Sequence, residues 1–251
     1  MPEVRLALSE ALGTAYRVER EVRPLGDTRQ FVAYALHEGP ELLVKVLSRA
    51  RSLAVDAAVF EREVVHTAER LQHPNLVPPL AAGRARAFVY HSRAFVAGTT
   101  LAAWLAKSGA LALTRTVEIL RAALTGLAHA HAAGVAHGDL TADQVILGEA
   151  QVQVADVGIA GAVSRALTAG VAEPAVAGPA GDMAAVATIV RQMLTGRAGV
   201  AAEALEGLRT LPRWFSDWLD TRWADAGEAL AALRPPPPPR TSGPHLPQPV
   251  L

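Results

Sequence analysis

The stretch HGDLTADQV, His137 to Val145, places an imidazole, two carboxylates, a hydroxyl and a carboxamide within nine residues, and VADVG (154–158) adds the carboxylate of Asp156. Carboxylates in such a loop can take a proton from a hydroxyl or hold a hard cation. The chain has no cysteine, which excludes a disulfide framework, a thiolate zinc site and a cysteine nucleophile. Any catalysis must use oxygen, nitrogen or a bound ion. His129 and His131 stand before the loop without an accompanying carboxylate–histidine cluster, so they read as helix and turn residues rather than metal ligands. His137 reads as packing beneath the loop. Taken singly, the other polar candidates have ordinary explanations. Lys45 in an alternating strand suits a solvated edge, Asp-x-Gly is a common turn, and Glu63 suits the wet face of a helix.

These groups need elements to position them. FVAYAL (31–36) and ELLVKVL (41–47) read as strands joined through Gly39 and Pro40. DAAVFEREVVHTAERL (56–71) has Val59, Phe60, Val64 and Leu71 at helical spacing, with Asp56 as its cap. HPNLVPPL breaks that helix, and RAFVYHSRAFV (86–96) is strand-like. From Gly98 the periodicity becomes helical in LAAWLAKSG and TRTVEILRAALTGLAHAHAAG. Short strands return at QVILG and VQVADVG, and DMAAVATIVRQMLTG (182–196) is a helix apolar nearly all round, hence buried. RPPPPPRTSGPHLPQPVL (234–251) cannot form a packed core and reads as a partly polyproline-II tail.

The chain of 251 residues has 24 basic and 24 acidic side chains, so no net field favours nucleic acid or an acidic membrane surface. The N-terminal MPEVRLALSEALG lacks a basic start and an unbroken apolar core. MAAVATIV (183–190) falls well short of the ~20 residues of a membrane helix. The expected location is cytoplasmic.

In this order the features resemble the protein-kinase family over roughly residues 16–233, in a bacterial Ser/Thr style. LAHAHAAGVAHGDL (127–140) is similar to the family's helix and catalytic loop, HPNLV (73–77) to a second family phrase, and GDMAAVATIVRQMLTGR (181–197) to the buried helix that anchors the large lobe through Asp182. The resemblance implies an α+β fold of two lobes. A small antiparallel-sheet lobe with one helix spans 16–97, and an abbreviated, mainly helical lobe spans 98–233. Residues 1–15 stand before them as an N-terminal segment and 234–251 after them as the tail. It also implies ATP with Mg2+ or Mn2+ as cofactors. Lys45 would meet the phosphates, Glu63 would hold Lys45 by an ion pair (with Glu61 as the neighbour to exclude), Asp156 would hold metal, and Asp139 would be the base. Gly26, Val32, Leu43, Lys45, Ala94, Val96 and Thr99 would border the nucleotide.

Departures accompany the match. VRPLGDTRQFV (22–32) offers only Gly26 where a glycine-rich turn would admit phosphate. Asp27 would bring negative charge, with Arg29 as a compensating cation. Thr141 stands where Ser/Thr-specific members carry a lysine, and Gln144 where an asparagine binds the second metal. These read as two additive handicaps. Leu43 occupies the place of a small alanine, and Arg93 falls near the residue guarding the pocket. Gly138 replaces the arginine before the base. Glu173 is the nearest candidate for the Ala-Pro-Glu glutamate, and Arg222 for its partner. The implied function is a diverged Ser/Thr protein kinase that binds ATP weakly and transfers phosphate weakly to protein hydroxyls. The alternatives are a silent pseudokinase acting on a protein partner and, from HGDL, an aminoglycoside- or choline-type kinase.

Overall fold

The two strand-like runs before residue 50 do pair, and the sheet they begin is larger than the sequence suggests. The structure, a computed structural model, describes residues 2–25, 27–168, 171, 175–196 and 211–235. Its first part runs α1 (Pro2–Leu12), β1 (Tyr16–Leu25), β2 (Thr28–Ala35), β3 (Leu42–Val46), α2 (Arg49–Ala54), α3 (Ala57–Arg70), β4 (Leu76–Val77), β5 (Pro79–Ala85) and β6 (Phe88–Ala94). Five strands form an antiparallel sheet in the order β1-β2-β3-β6-β5. The cap expected at Asp56 is present, its Oδ1 accepting from the amides of Ala58 and Val59 at 2.9 and 3.1 Å.

Strand alternation gives this sheet two unlike faces. Phe31, Ala33, Leu42, Val44 and Val46 form the outer one, and α1 covers it with Val4, Ala7 and Leu8. Residues 2–12, set apart in the sequence reading, are therefore part of the small-lobe core. Arg29 also belongs to this side. Its guanidinium lies 5.2 Å from the Phe31 ring centre and pairs with Glu21 at 2.7 Å. On the inner face the register sets Gln30 opposite Lys45, Val32 opposite Leu43, Lys45 opposite His91, and Leu43 opposite Arg93.

The second part runs β7 (Gly98–Thr100), α4 (Leu101–Ser108), α5 (Leu113–Ala132), β8 (Val145–Gly148), β9 (Val152–Ala155), α6 (Ile159–Ala166), α7 (Pro179–Thr195), α8 (Arg213–Asp220) and α9 (Ala226–Ala232). Its core joins α5, α7, α8 and α9 through Leu120, Leu124, Leu127, Val190, Met193, Phe215 and Ala229. The expected helices and strands of this half are all present. Helix α6, in a segment that read as irregular, is additional. Its Ile159, Ala162, Val163 and Ala166 pack on Phe60 and Val64 of α3 and on Leu47 and Val89. Backbone bonds reinforce this seam, from Asp56 N–H to Ala166 O at 2.8 Å and from Thr168 N–H to Ala54 O at 2.9 Å. Among the described residues no helix is long and apolar enough to cross a membrane.

Candidate active site

The loop at 137–145 is held from beneath by α7. Asp182, buried at the first turn of that helix, accepts from the amides of His137 and Gly138 at 2.7 and 2.8 Å and from His131 Nε2 at 2.9 Å. His131 Nδ1 in turn accepts from the Ala226 amide at 3.1 Å, which fixes the neutral Nε2–H tautomer and ties α9 to the same anchor. His137 is buried as expected. Its Nδ1 accepts from the Asp139 amide at 3.3 Å, its Nε2 donates to the Ala155 carbonyl at 3.1 Å, and burial pushes its pKa down. Gly138 has φ 83°, and a Cβ there would lie 2.4 Å from Val176 Cγ1, so backbone geometry alone disfavours any larger residue. Asp139 is exposed, and its carboxylate makes no hydrogen bond among the described residues. It is free to accept a proton from an incoming hydroxyl.

Thr141 and Gln144 are joined to one another. Gln144 Oε1 accepts from Thr141 N at 2.8 Å and from Thr141 Oγ1 at 2.5 Å, and Asp143 N donates to Thr141 Oγ1 at 3.3 Å. The longer glutamine therefore folds back to close its own turn, and its side chain is 8% exposed. The oxygen expected to ligate metal thus has two donors of its own in this structure. The two positions expected to act as separate handicaps are structurally one unit.

Asp156 ends β9 with φ 64°, a left-handed conformation that a non-glycine residue rarely adopts. Its Oδ2 accepts from Lys45 Nζ, and its Oδ1 faces Arg93 Nε at 3.7 Å. Burial alone would raise the carboxyl pKa, but Lys45 and Arg93 hold it well below the usual range. His91, on the same face, is kept neutral by burial, which lowers its pKa from 6.5 to about 4. Gln30, Lys45, His91 and Arg93 thus form a buried polar floor under the sheet, closed from the other lobe by Asp156.

The expected ion pair between Lys45 and Glu63 is not formed. Glu63 Oε2 accepts from Arg165 Nε of α6 at 2.5 Å, while Glu61 is exposed. The register of α3 is as expected. Helix α6 supplies the partner, and sequence reasoning missed Arg165 because nothing in that segment signalled a helix packed on α3.

The residues expected around a nucleotide are brought together only in part. Val32 and Leu43 face each other and are 1% and 6% exposed, so the surface that would sandwich a planar base is covered. The Ala94 carbonyl accepts from Arg93 Nη1 at 3.0 Å. Val96 packs toward Val77, Ile146 and Ala155. Thr99 is exposed, pairing with Leu147 through the backbone. Gly26, Glu173 and residues 236–251 of the tail lie outside the described residues. Family members use ATP with Mg2+. The arrangement here does not fit that pair. Asp156 is neutralised by two cations, Gln144 Oε1 is occupied, and among the described residues no group of three His, Asp or Glu side chains could hold a metal ion.

A family model described as protein kinase domain matches residues 30–198. The chain is 29% identical over 163 residues to a probable serine/threonine-protein kinase PknB of Lactococcus lactis, covering 64% of this chain and 26% of that protein. It is 31% identical over 167 residues to the serine/threonine-protein kinase pkn3 of Myxococcus xanthus, covering 63% and 30%. It therefore spans under a third of the length of these relatives. Among solved structures, the kinase domain of Mycobacterium tuberculosis PknI superposes with a TM-score of 0.69 at 20% identity, covering 87% of this chain and 94% of that one. At that identity the likeness is one of fold.

Proposed function

Because this chain belongs to the protein kinase domain family, we propose that it is a Ser/Thr-kinase-like regulatory module that acts through a protein partner rather than through efficient phosphoryl transfer. The observation that carries this reading is the Thr141–Gln144 unit. The two positions where a phosphate-steadying lysine and a metal-binding asparagine are expected instead satisfy each other, so the loop is complete without metal. The Asp139 carboxylate supports a second reading, in which weak transfer to protein hydroxyls persists. It is exposed, without a hydrogen bond among the described residues, and carried on a loop that Asp182 anchors.

A titration of the protein with ATP, with and without Mg2+ or Mn2+, followed by melting temperature, tests the first reading. Ligand that binds only the folded state raises the melting temperature by mass action. The expected result is no metal-dependent rise at millimolar ATP. A clear rise, together with phosphate incorporation that Asp139→Asn abolishes, would establish the second reading instead.

A further inference from the structure

We infer that Arg93 is an internal ligand, a side chain that occupies the place between the Ala94 carbonyl and the Asp156 carboxylate where a metal-bound nucleotide would otherwise sit. This rests on the reading above, that the fold works without bound nucleotide. Arg93 Nη1 donates to the Ala94 carbonyl at 3.0 Å, and its Nε faces Asp156 Oδ1 at 3.7 Å. Among the described residues neither Nε nor Oδ1 has a hydrogen-bond partner, and the two side chains are only 9% and 10% exposed. One guanidinium therefore covers a backbone acceptor and a carboxylate oxygen at once, while Lys45 takes the other oxygen.

The electrostatics favour self-occupation. A divalent cation approaching Asp156 would meet two positive charges already in place, in a poorly screened site. Arginine remains charged at any working pH, so no titration removes this barrier. Its position opposite Leu43 in the ladder adds a steric element, because the stem covers the strand face that would lie against a base. Arg93 thus adds both charge and bulk to the pair that Lys45 already makes with Asp156.

The test is a titration of wild type, Arg93→Met and Arg93→Met/Asp156→Asn with Mn2+ alone and with Mn2+·ATP. It is read by the electron paramagnetic resonance of free Mn2+ and by melting temperature. Arg93→Met is expected to bind Mn2+·ATP at least tenfold more tightly than wild type, and Asp156→Asn on that background to remove the gain. Should Arg93→Met fail to fold, Arg93→Gln carries the same expectation, since it removes the charge and keeps a donor for the Ala94 carbonyl. A folded Arg93 variant that binds no more tightly overturns the inference and leaves the proposed function standing, as does a gain that survives Asp156→Asn. ATP binding by wild type in EDTA that Arg93→Met weakens also overturns it, because Arg93 would then recruit nucleotide. Tight Mn2+·ATP binding by wild type overturns both, and is visible before any substitution is made.

Discussion

Glu63 is bound to Arg165 across the seam between α3 and α6, its Oε2 2.5 Å from the guanidinium Nε, and so is withheld from Lys45. Arg165 is 55% exposed and Glu63 26%, so the pair itself contributes under about 1 kcal/mol to stability. Arg165→Ala should therefore leave global unfolding nearly unchanged. It should nevertheless accelerate hydrogen exchange across residues 159–166, because the charge contact helps hold α6 against α3. Unchanged exchange in that segment would show that the apolar contacts alone secure the helix.

The Thr141–Gln144 unit predicts strong non-additivity. Removing Gln144 leaves the Thr141 amide and hydroxyl without their shared acceptor, at a net cost of about 0.5–1.5 kcal/mol because Thr141 is exposed, and removing the hydroxyl weakens the same bond from the other side. In a cycle of Thr141→Val, Gln144→Ala and the double variant, measured by urea unfolding, the coupling should exceed about 0.5 kcal/mol. Simple addition of the two effects would mean that the turn holds without this bond.

Asp182 serves three donors from two segments, so its loss should be the most damaging single change in the loop's support. Asp182→Ala leaves buried amides and an imidazole unpaired, and should cost about 3–5 kcal/mol. For a chain of this size that lowers the melting temperature by roughly 6–20 °C. A fall of a degree or two in calorimetry would contradict the anchoring role.

Acid should find His91 early. Its folded pKa of about 4 lies below the ordinary 6.5, chiefly through burial, with Asp156 opposing and Lys45 and Arg93 adding to the shift. The unfolded chain therefore takes the proton first. This residue's contribution is complete above pH 6.5 and is lost as pH falls toward 4, by about 3 kcal/mol. Asp156, also depressed, adds its own loss only at lower pH, beneath the ordinary carboxyl value, and His137 acts in the same direction as His91. His91→Phe, beside the Phe60 ring, should flatten the dependence of unfolding free energy between pH 6.5 and 4 relative to wild type. Parallel curves for the two proteins would refute the assignment.

What the sequence made legible followed from local order. Motif order and spacing single out Lys45, Asp139 and Asp156, and the apolar period with the Asp56 cap marks α3. Helix α1 carries the same kind of signal in Val4, Ala7 and Leu8, but it lies outside the stretch that resembles the family. Helix α6 shows the helical interval at Ile159, Ala162, Val163 and Ala166. Two of those four are alanines among glycines, too small to stand out as an apolar face. The role of Arg93 was the least accessible. An arginine within a strand ordinarily points to water, and what holds it inward is a carboxylate 63 positions away in sequence that only the closed fold delivers.

The seam between α3 and α6 also imposes an order on synthesis. Phe60 and Val64 leave the ribosome about a hundred residues before Ile159, Ala162 and Val163, the side chains that cover them. At ~5–20 residues per second the growing chain carries that apolar face without its α6 cover for roughly 5–20 s. The small-lobe side of this seam therefore gains its full cover only after α6 has been made. The backbone bonds that join Ala54 and Asp56 to Thr168 and Ala166 can close only once that later stretch has been made.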